Sequence, residues 1–91
     1  MDRSYKALAD PTRRQILELL RDGDRAAGEI AAEFPIAWAS VSHHLSVLKD
    51  AGLIVGSRNG QSIVYSLNTT VFQDLVAHLV GIASKRRDKD A

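Results

Sequence analysis

The first half of the chain places its hydrophobic residues at the three- and four-residue spacing of amphipathic helices. Asp10-Pro11 marks a helix start, because aspartate caps the first turn and proline fits the first helical position. A short helix over residues 4–9 precedes it, and another helix covers residues 27–34 and ends at Pro35. The apolar residues that define these helices are Tyr5, Leu8, Ile16, Leu17, Leu19, Leu20, Ala27, Ile30, Ala31 and Phe34.

Residues 39–51 form a fourth predicted helix, with Gly52 as its stop. Val41, Leu45 and Leu48 share one side of it, and His44 leans toward that side. The opposite side is polar and carries Ser40, His43, Ser46 and Asp50, with Ser42 on a flank. Two short helices joined by a tight turn, the second with a polar outer side, predict a helix-turn-helix.

A β-hairpin is predicted next, with strands at residues 53–58 and 61–67 around Asn59-Gly60. Asn-Gly favours a two-residue turn in which both central positions take positive φ. Ile63, Tyr65 and Leu67 alternate on one face of the second strand, and we expect Tyr65 to brace the hairpin against the core.

The last helix begins at Thr70-x-x-Gln73, a capping-box pattern. Its apolar stripe is too wide for a helix that packs on one domain only, so we expect dimerisation. The predicted domain covers residues 1–84, and residues 85–91 form a flexible charged tail. The expected dimer contacts are Tyr5, Leu8, Val71, Leu75, Leu79 and Ile82.

Composition narrows the class of protein. The 91 residues, 45% hydrophobic and 25% charged, fit one small globular domain. A chain this short buries only about two-thirds of its unfolded surface, which also favours a second copy as support. Without cysteine there is no disulfide, thiolate metal site or thiol nucleophile. The sequence shows no signal peptide and no apolar run long enough to span a membrane, so we expect a cytoplasmic protein.

Charge gives a weaker indication of the partner. The formal net charge is +1, which is not the strongly basic balance typical of a nucleic-acid-binding domain. Residues 34–73 nevertheless contain Lys49 and Arg58 against Asp50 alone, while acidic residues crowd the first third of the chain. This distribution favours a low-acid face, although it equally fits a chance pattern.

Several motifs closely resemble the ArsR/SmtB family of dimeric winged-helix repressors of bacteria. They are ADPTRRQIL at 9–17, SHHLSVL at 42–48, AGLI at 51–54 and GQSIVYSL at 60–67. Within the family, GEIA at 28–31 and YSLNTTVFQD at 65–74 are most similar to the cysteine-free SdpR-type autorepressor branch. The resemblance implies a winged helix-turn-helix of order α-α-α-α-β-β-α, paired through its first and last helices and bound to double-stranded operator DNA.

The resemblance also assigns expected DNA contacts. Ser40, Ser42 and His43 would meet base edges, with Ser46 on the same face, and Arg58 and Gln61 would make the wing contacts. Lys49 fits a phosphate contact and equally a solvated lysine. The expected DNA-contacting set is Ser40, Ser42, His43, Ser46, Lys49, Arg58 and Gln61. His44 is expected to be structural, packing and hydrogen-bonding beneath its helix.

Three residues depart from the family pattern. Ala26 and Ala37 stand where serine or threonine would cap the two helices of the helix-turn-helix, a loss on the order of 1 kcal/mol each. Trp38 replaces a polar residue, and we expect it to cover the turn by packing, with stacking on a DNA sugar as the alternative.

No metal, cofactor or enzymatic activity is expected. Asp74 and His78 have the spacing to meet on one face of the last helix, but an ordinary surface hydrogen bond explains them better than an ion. The chain has no strained nucleophile turn, no phosphate-cradling glycine loop and no core large enough to exclude water. Alternatives left open are a winged-helix protein-interaction adaptor and a repressor with an effector site on its last helix. Relief of repression by an antagonist protein is a hypothesis by analogy.

Overall fold

The computed structural model describes residues 1–90, with side chains described through Ser84. In chain order its elements are α1 (Asp2–Leu8), α2 (Pro11–Arg21), β1 (Arg25–Ala26), α3 (Ala27–Ala32), α4 (Trp38–Asp50), β2 (Ile54–Asn59), β3 (Ser62–Leu67) and α5 (Thr69–Asp90). This confirms the predicted mainly helical fold with one hairpin. The side chains of the predicted tail, residues 85–91, lie outside the described residues.

Helix α2 begins as its sequence predicts. The side chain of Asp10 accepts a hydrogen bond from the backbone N–H of Arg13 at 3.0 Å, and Pro11 stands at the first helical position. This hydrogen bond is the largest cause that lowers the pKa of Asp10 below its usual value. The N–H of Arg13 therefore favours the ionised form of the carboxylate that caps the start of α2.

The hydrophobic core is built where α2, α3 and α4 meet the hairpin. Its side chains come from every helix, but between Thr69 and Ser84 α5 contributes only Leu75 to the buried set. The buried hydrophobic residues are Ala7, Ile16, Leu17, Leu20, Ile30, Val41, Leu45, Leu48, Leu53, Ile54 and Leu75. Most of α5 therefore lies outside the protein's own core.

Strand β1 was not predicted. It pairs antiparallel with β3, Arg25 opposite Tyr65 and Ala26 opposite Val64, and makes the sheet order β1-β3-β2. Two residues are too few to show the alternation on which a strand prediction depends. The sheet therefore has one strand more than the hairpin, and this strand ties the start of α3 to the wing.

The hairpin turn is displaced by one residue from its predicted position. Asn59 pairs with Ser62, so the central residues of the turn are Gly60 and Gln61. Gly60 has φ +64°, and no non-glycine residue of the described chain has positive φ. The prediction of positive φ at both Asn59 and Gly60 is wrong, because a turn with glycine first, as in type II′, needs positive φ at that position only.

Candidate nucleic-acid interface

Helix α4 divides sharply into a buried side and a polar side. Val41, Leu45 and Leu48 are 0%, 3% and 0% exposed, which fixes the orientation of the helix on the core. The predicted outer residues are exposed on the other side, with Ser42 half-buried on the flank; they are Ser40, His43, Ser46 and Asp50. Lys49 is exposed as well. Hydroxyl and imidazole groups on an exposed helix can hydrogen-bond base edges in a major groove.

His44 has the structural place that its position predicted. Its side chain is 16% exposed, and its Nδ1 atom accepts a hydrogen bond from Arg13 Nη1 at 3.2 Å. The same nitrogen lies 3.8 Å from the carboxylate of Asp10. The two neighbouring histidines are therefore distinct, because His43 faces solvent while His44 connects α4 to the start of α2.

Arg13 is the centre of this connection, and the sequence analysis assigned it no role. Its Nε donates to the carbonyl of Ala7 at 2.8 Å and its Nη2 to that of Lys6 at 3.2 Å. Arg14 donates to the carbonyl of Leu8 at 2.7 Å. The last carbonyls of a helix lack partners within it, so these arginines cap α1. The paired arginines after Asp10-Pro11 were the signal available in the sequence.

The far end of α4 is held by α1. The hydroxyl of Ser4, a residue only 5% exposed, donates to the carbonyl of Ala51 at 3.2 Å. Arg13 acts through His44, and Ser4 acts one residue beyond the last turn. The exposed face of α4 is therefore presented on a helix that polar contacts fix along its length.

The hairpin places the predicted wing residues beside α4. Arg58 and Gln61 are both exposed near the tip, Arg58 opposite Ile63 in the ladder and Gln61 within the turn. Tyr65 is half-buried and packs against the core, as predicted. The hairpin thus offers a guanidinium and an amide at its end while its base is anchored in the domain.

Both helices of the helix-turn-helix lack a side-chain cap, as the sequence predicts. Ala26 and Ala37 are the N-cap residues of α3 and α4. Glu29 Oε1 accepts the backbone N–H of Ala26 at 2.9 Å, but no side chain accepts the first N–H groups within α3. Helix α4 has no side-chain cap, so its first N–H groups have no side-chain acceptor.

Trp38 does not pack over the turn, and that prediction is wrong. Its side chain is 54% exposed at the first position of α4. The indole instead lines one wall of a cleft of about 370 Å³ between α4 and the hairpin. Trp38 is the first residue of α4, and the first residue of this helix in the core is Val41, one turn later.

The expected dimer residues fall into two groups. Tyr5, Leu8 and Val71 are half-buried against the protein's own core, while Leu79 and Ile82 are 54% and 56% exposed on α5. Leu75 is only 4% exposed and belongs to the core of the chain itself, which corrects its assignment to an interface. Two further exposed aliphatic residues of α5, 58% and 56% exposed, extend the surface: Val76 and Val80.

The predicted hydrogen bond between Asp74 and His78 is not formed. His78 Nδ1 lies 2.7 Å from the hydroxyl of Tyr5, so its partner is on α1 and not on its own helix. Among the described residues, no group of three or more histidine, cysteine or carboxylate side chains is placed to hold a metal ion.

Comparison with known proteins gives this geometry a context. Residues 10–55 match the family model described as bacterial regulatory protein, arsR family. The transcriptional repressor SdpR of Bacillus subtilis is 51% identical over 85 residues, covering 93% of this chain and 94% of SdpR. The chain belongs to the arsR family of bacterial regulatory proteins.

Solved structures of ArsR-family regulators share the fold. The ArsR family transcriptional regulator RHA00566 superposes with a TM-score of 0.89 at 29% identity, covering 94% of each chain. The homodimeric winged helix-turn-helix domain Mb0332 of Mycobacterium bovis gives 0.73 at 33% identity, covering 92% of this chain and 78% of that one. The predicted winged helix-turn-helix is therefore confirmed.

Membership in the ArsR family also decides the class of activity. The chain is a DNA-binding transcriptional regulator and not an enzyme. Within its described part, no helix is both long enough and apolar enough to traverse a bilayer. The polar face of α4 and the hairpin tip are accordingly the surfaces from which DNA binding is to be explained.

Proposed function

We propose that this protein is a transcriptional repressor that binds an inverted-repeat operator as a homodimer, without a bound metal. The observation that carries the proposal is the division of α4 into a buried apolar side and an exposed hydroxyl-and-imidazole side. An exposed hairpin tip with Arg58 and Gln61 stands beside it. SdpR, with 51% identity, is itself named a transcriptional repressor.

Each side chain of the interface has a distinct part. Ser40, Ser42 and His43 meet base edges, and Ser46 extends the same face. Lys49 contacts a phosphate near the end of α4. Arg58 and Gln61 follow the neighbouring groove or its phosphates from the hairpin tip. The base contacts supply sequence preference, and the basic groups supply affinity that depends on salt.

The exposed aliphatic side of α5 supports the homodimer. Leu79, Ile82, Val76 and Val80 stand between 54% and 58% exposed, which is unusual for a cluster of large aliphatic side chains. A second copy related by twofold symmetry buries them and sets the two α4 helices in successive major grooves, about 34–36 Å apart. A dimer seated on promoter DNA then blocks polymerase sterically.

Repression is relieved without a sensor residue in this scheme. The chain has no cysteine, and its described residues offer no metal-binding cluster. A partner protein that sequesters the dimer is the remaining simple route. A stoichiometric ion in the purified protein would contradict this part of the proposal. The near-neutral net charge of +1 also suits a second candidate function, that of a protein-interaction adaptor. If the protein is an adaptor, the purified dimer should bind no DNA duplex.

The test uses an operator selected from random duplexes with the purified protein. His43→Ala and Arg58→Ala are each expected to weaken operator binding by about 10-fold or more, because each removes a direct contact worth roughly 1–3 kcal/mol. Gln15→Ala, at an exposed polar residue of α2, is the matched control and should leave the affinity unchanged. Folded variants with full affinity in gel-shift assays would remove these residues from the interface.

Salt dependence gives a second measurement on the same complex. Binding through phosphates releases counterions, so the logarithm of the association constant should fall linearly with the logarithm of salt concentration. Arg58→Ala should reduce this slope by about one unit, whereas a slope near zero for the unmodified protein contradicts DNA binding through its basic groups.

A further inference from the structure

The cleft between α4 and the hairpin has a mixed lining, of which the proposed contacts use only Ser42 and Gln61. Its apolar side chains include Trp38, Ile63 and Tyr65, and its polar ones include Ser42, Gln61 and Ser62. No aspartate or glutamate lines it. A cavity of about 370 Å³ with this lining fits a ligand that is apolar on one side and a hydrogen-bond acceptor on another, and no carboxylate is present to repel an anion.

Two large apolar side chains at the cleft remain in solvent. Trp38, the one tryptophan of the chain, is 54% exposed, and Ile63 is 40% exposed. A Cβ atom on Gly56 would come within 3.2 Å of Ile63 Cγ2 and of Tyr65 Cε1. The glycine therefore lets both side chains lie across the sheet. Exposing these apolar groups to water is unfavourable in free energy, and a ligand that covers them removes this cost.

If the protein binds DNA as proposed, the geometry of the duplex indicates which part of the DNA lies in this cleft. With α4 in a major groove and the hairpin tip at the adjacent minor groove, the strand that separates the two grooves runs between helix and hairpin. That strand exposes deoxyribose rings, which are largely apolar, in alternation with phosphates. The cleft has groups that suit both parts of the strand. Its indole and aliphatic side chains suit the sugars, and its hydroxyl and amide donors suit the phosphates.

We propose that the cleft is a binding site for one strand of the sugar–phosphate backbone. A deoxyribose packs against Trp38 and Ile63, and the adjoining phosphate accepts hydrogen bonds from Ser62 and Gln61, while Ser42 keeps its base-edge contact. The start of α4 reinforces the site, because its first N–H groups lack a side-chain cap and carry the positive end of the helix dipole. The cleft thereby sets the depth at which α4 enters its groove.

A backbone site differs from a base contact in what it predicts. Every duplex presents the same sugar and phosphate, so loss of Trp38 must weaken binding to operator and to unrelated DNA by the same factor. An uncharged side chain releases no counterion, so the salt slope must stay unchanged. The single tryptophan also reports directly, since its emission changes when a sugar replaces water beside the indole.

The experiment titrates the purified dimer with the selected operator duplex and with an unrelated duplex while the emission of Trp38 is followed. Emission should change on both duplexes. Trp38→Ala should weaken binding to both by about 10-fold, while Trp38→Phe, which keeps an aromatic ring, should stay within about 3-fold. Because Trp38 is largely exposed, these variants leave the core intact, and circular dichroism checks this.

A matched pair on the hairpin isolates the cleft. Ile63→Ala removes a cleft side chain, and Val55→Ala removes one that is 49% exposed on β2 but does not line the cleft. Ile63→Ala should weaken both complexes several-fold, about 3-fold or more, and Val55→Ala by less than about 2-fold. Equal effects of the two substitutions would overturn the proposal.

Three other results would also overturn it, and they are distinguishable. Unchanged Trp38 emission and affinity in a protein that binds its operator would exclude the cleft alone. A loss with Trp38→Ala that is confined to the operator would make Trp38 a base contact instead. Failure of the unmodified protein to bind any duplex would remove the cleft site together with the proposed function on which it rests.

Discussion

Helices α4 and α5 bury apolar side chains in the same core but leave opposite chemistries in solvent. Helix α4 encloses Val41, Leu45 and Leu48 and exposes hydroxyl and imidazole groups on its other side. Helix α5 encloses only Leu75 and exposes aliphatic residues further along, including Leu79 and Ile82. Burial alone describes how each helix is held, whereas the exposed face indicates what each one binds.

The difference follows from where each helix ends relative to the core. Helix α4 spans 13 residues, and after Trp38 its apolar residues Val41, Leu45 and Leu48 are all buried in the domain's own core. Helix α5 spans 22 residues, on the order of 33 Å, and its apolar stripe continues past Leu75. Apolar side chains that extend beyond the domain's own core remain exposed to water. A second copy of the chain would bury them, which supports the proposed twofold dimer.

The largest expected effect comes from breaking the aliphatic face. Leu79→Asp should raise the dissociation constant of the dimer on the order of 100-fold, because it places an unpaired carboxylate in the proposed interface. Sedimentation at several protein concentrations measures this. Operator binding should fall with it, since two half-sites need two linked α4 helices.

The matched control for that substitution lies on the same helix. Gln73→Asp adds the same charge at an exposed polar residue near the start of α5 and should leave the dimer intact. If Leu79→Asp and Gln73→Asp both disrupted the dimer, or if neither did, the aliphatic face of α5 would not be the dimer interface.

A smaller effect is expected at the polar connection that holds α4. Arg13→Ala removes hydrogen bonds to Ala7, Lys6 and His44 and should lower the free energy of unfolding by about 1–3 kcal/mol. Urea denaturation at fixed protein concentration measures it. Arg14→Ala loses one exposed hydrogen bond, to Leu8, and should cost less than about 1 kcal/mol. An equal cost for both arginines would deny Arg13 its central position.

The smallest effect concerns the carboxylate that starts α2. Hydrogen bonding from the N–H of Arg13 lowers the pKa of Asp10, so its contribution to stability is present above the unfolded pKa of about 3.9. That contribution is lost as the pH falls through the lower, folded pKa. The free energy of unfolding should therefore drop more steeply for the unmodified protein than for Asp10→Asn below about pH 5. Parallel pH profiles of the two proteins would argue against the ionised cap.

Local patterns were sufficient wherever one side of an element was buried. Asp10-Pro11 predicted the start of α2, and the spacing of Val41, Leu45 and Leu48 predicted which side of α4 faces solvent. The same reasoning separated His43 from His44 although they are adjacent. In each case the signal and its cause lie within one or two helical turns.

The errors occurred where a contact outside the element's own pattern decides the outcome. His78 bonds to Tyr5 across 73 positions rather than to Asp74 on its own helix. The hairpin register moved by one residue because the pairing with β2 includes Asn59. Trp38 was expected to pack over the turn, yet its side chain is 54% exposed at the first position of α4.

The sequence by itself determined the helices, the hairpin, their buried sides and the family, though not β1, because helix periodicity, capping and motif spacing are local properties of the chain. Only the tertiary structure decided that Leu75 belongs to the core while Leu79 does not, that Arg13 joins three helices, and that Trp38 faces a cleft beside the hairpin. Those outcomes depend on how far each element extends past its neighbours in space. The pattern of residues within one strand or helix does not show which other element will lie against it in the folded chain.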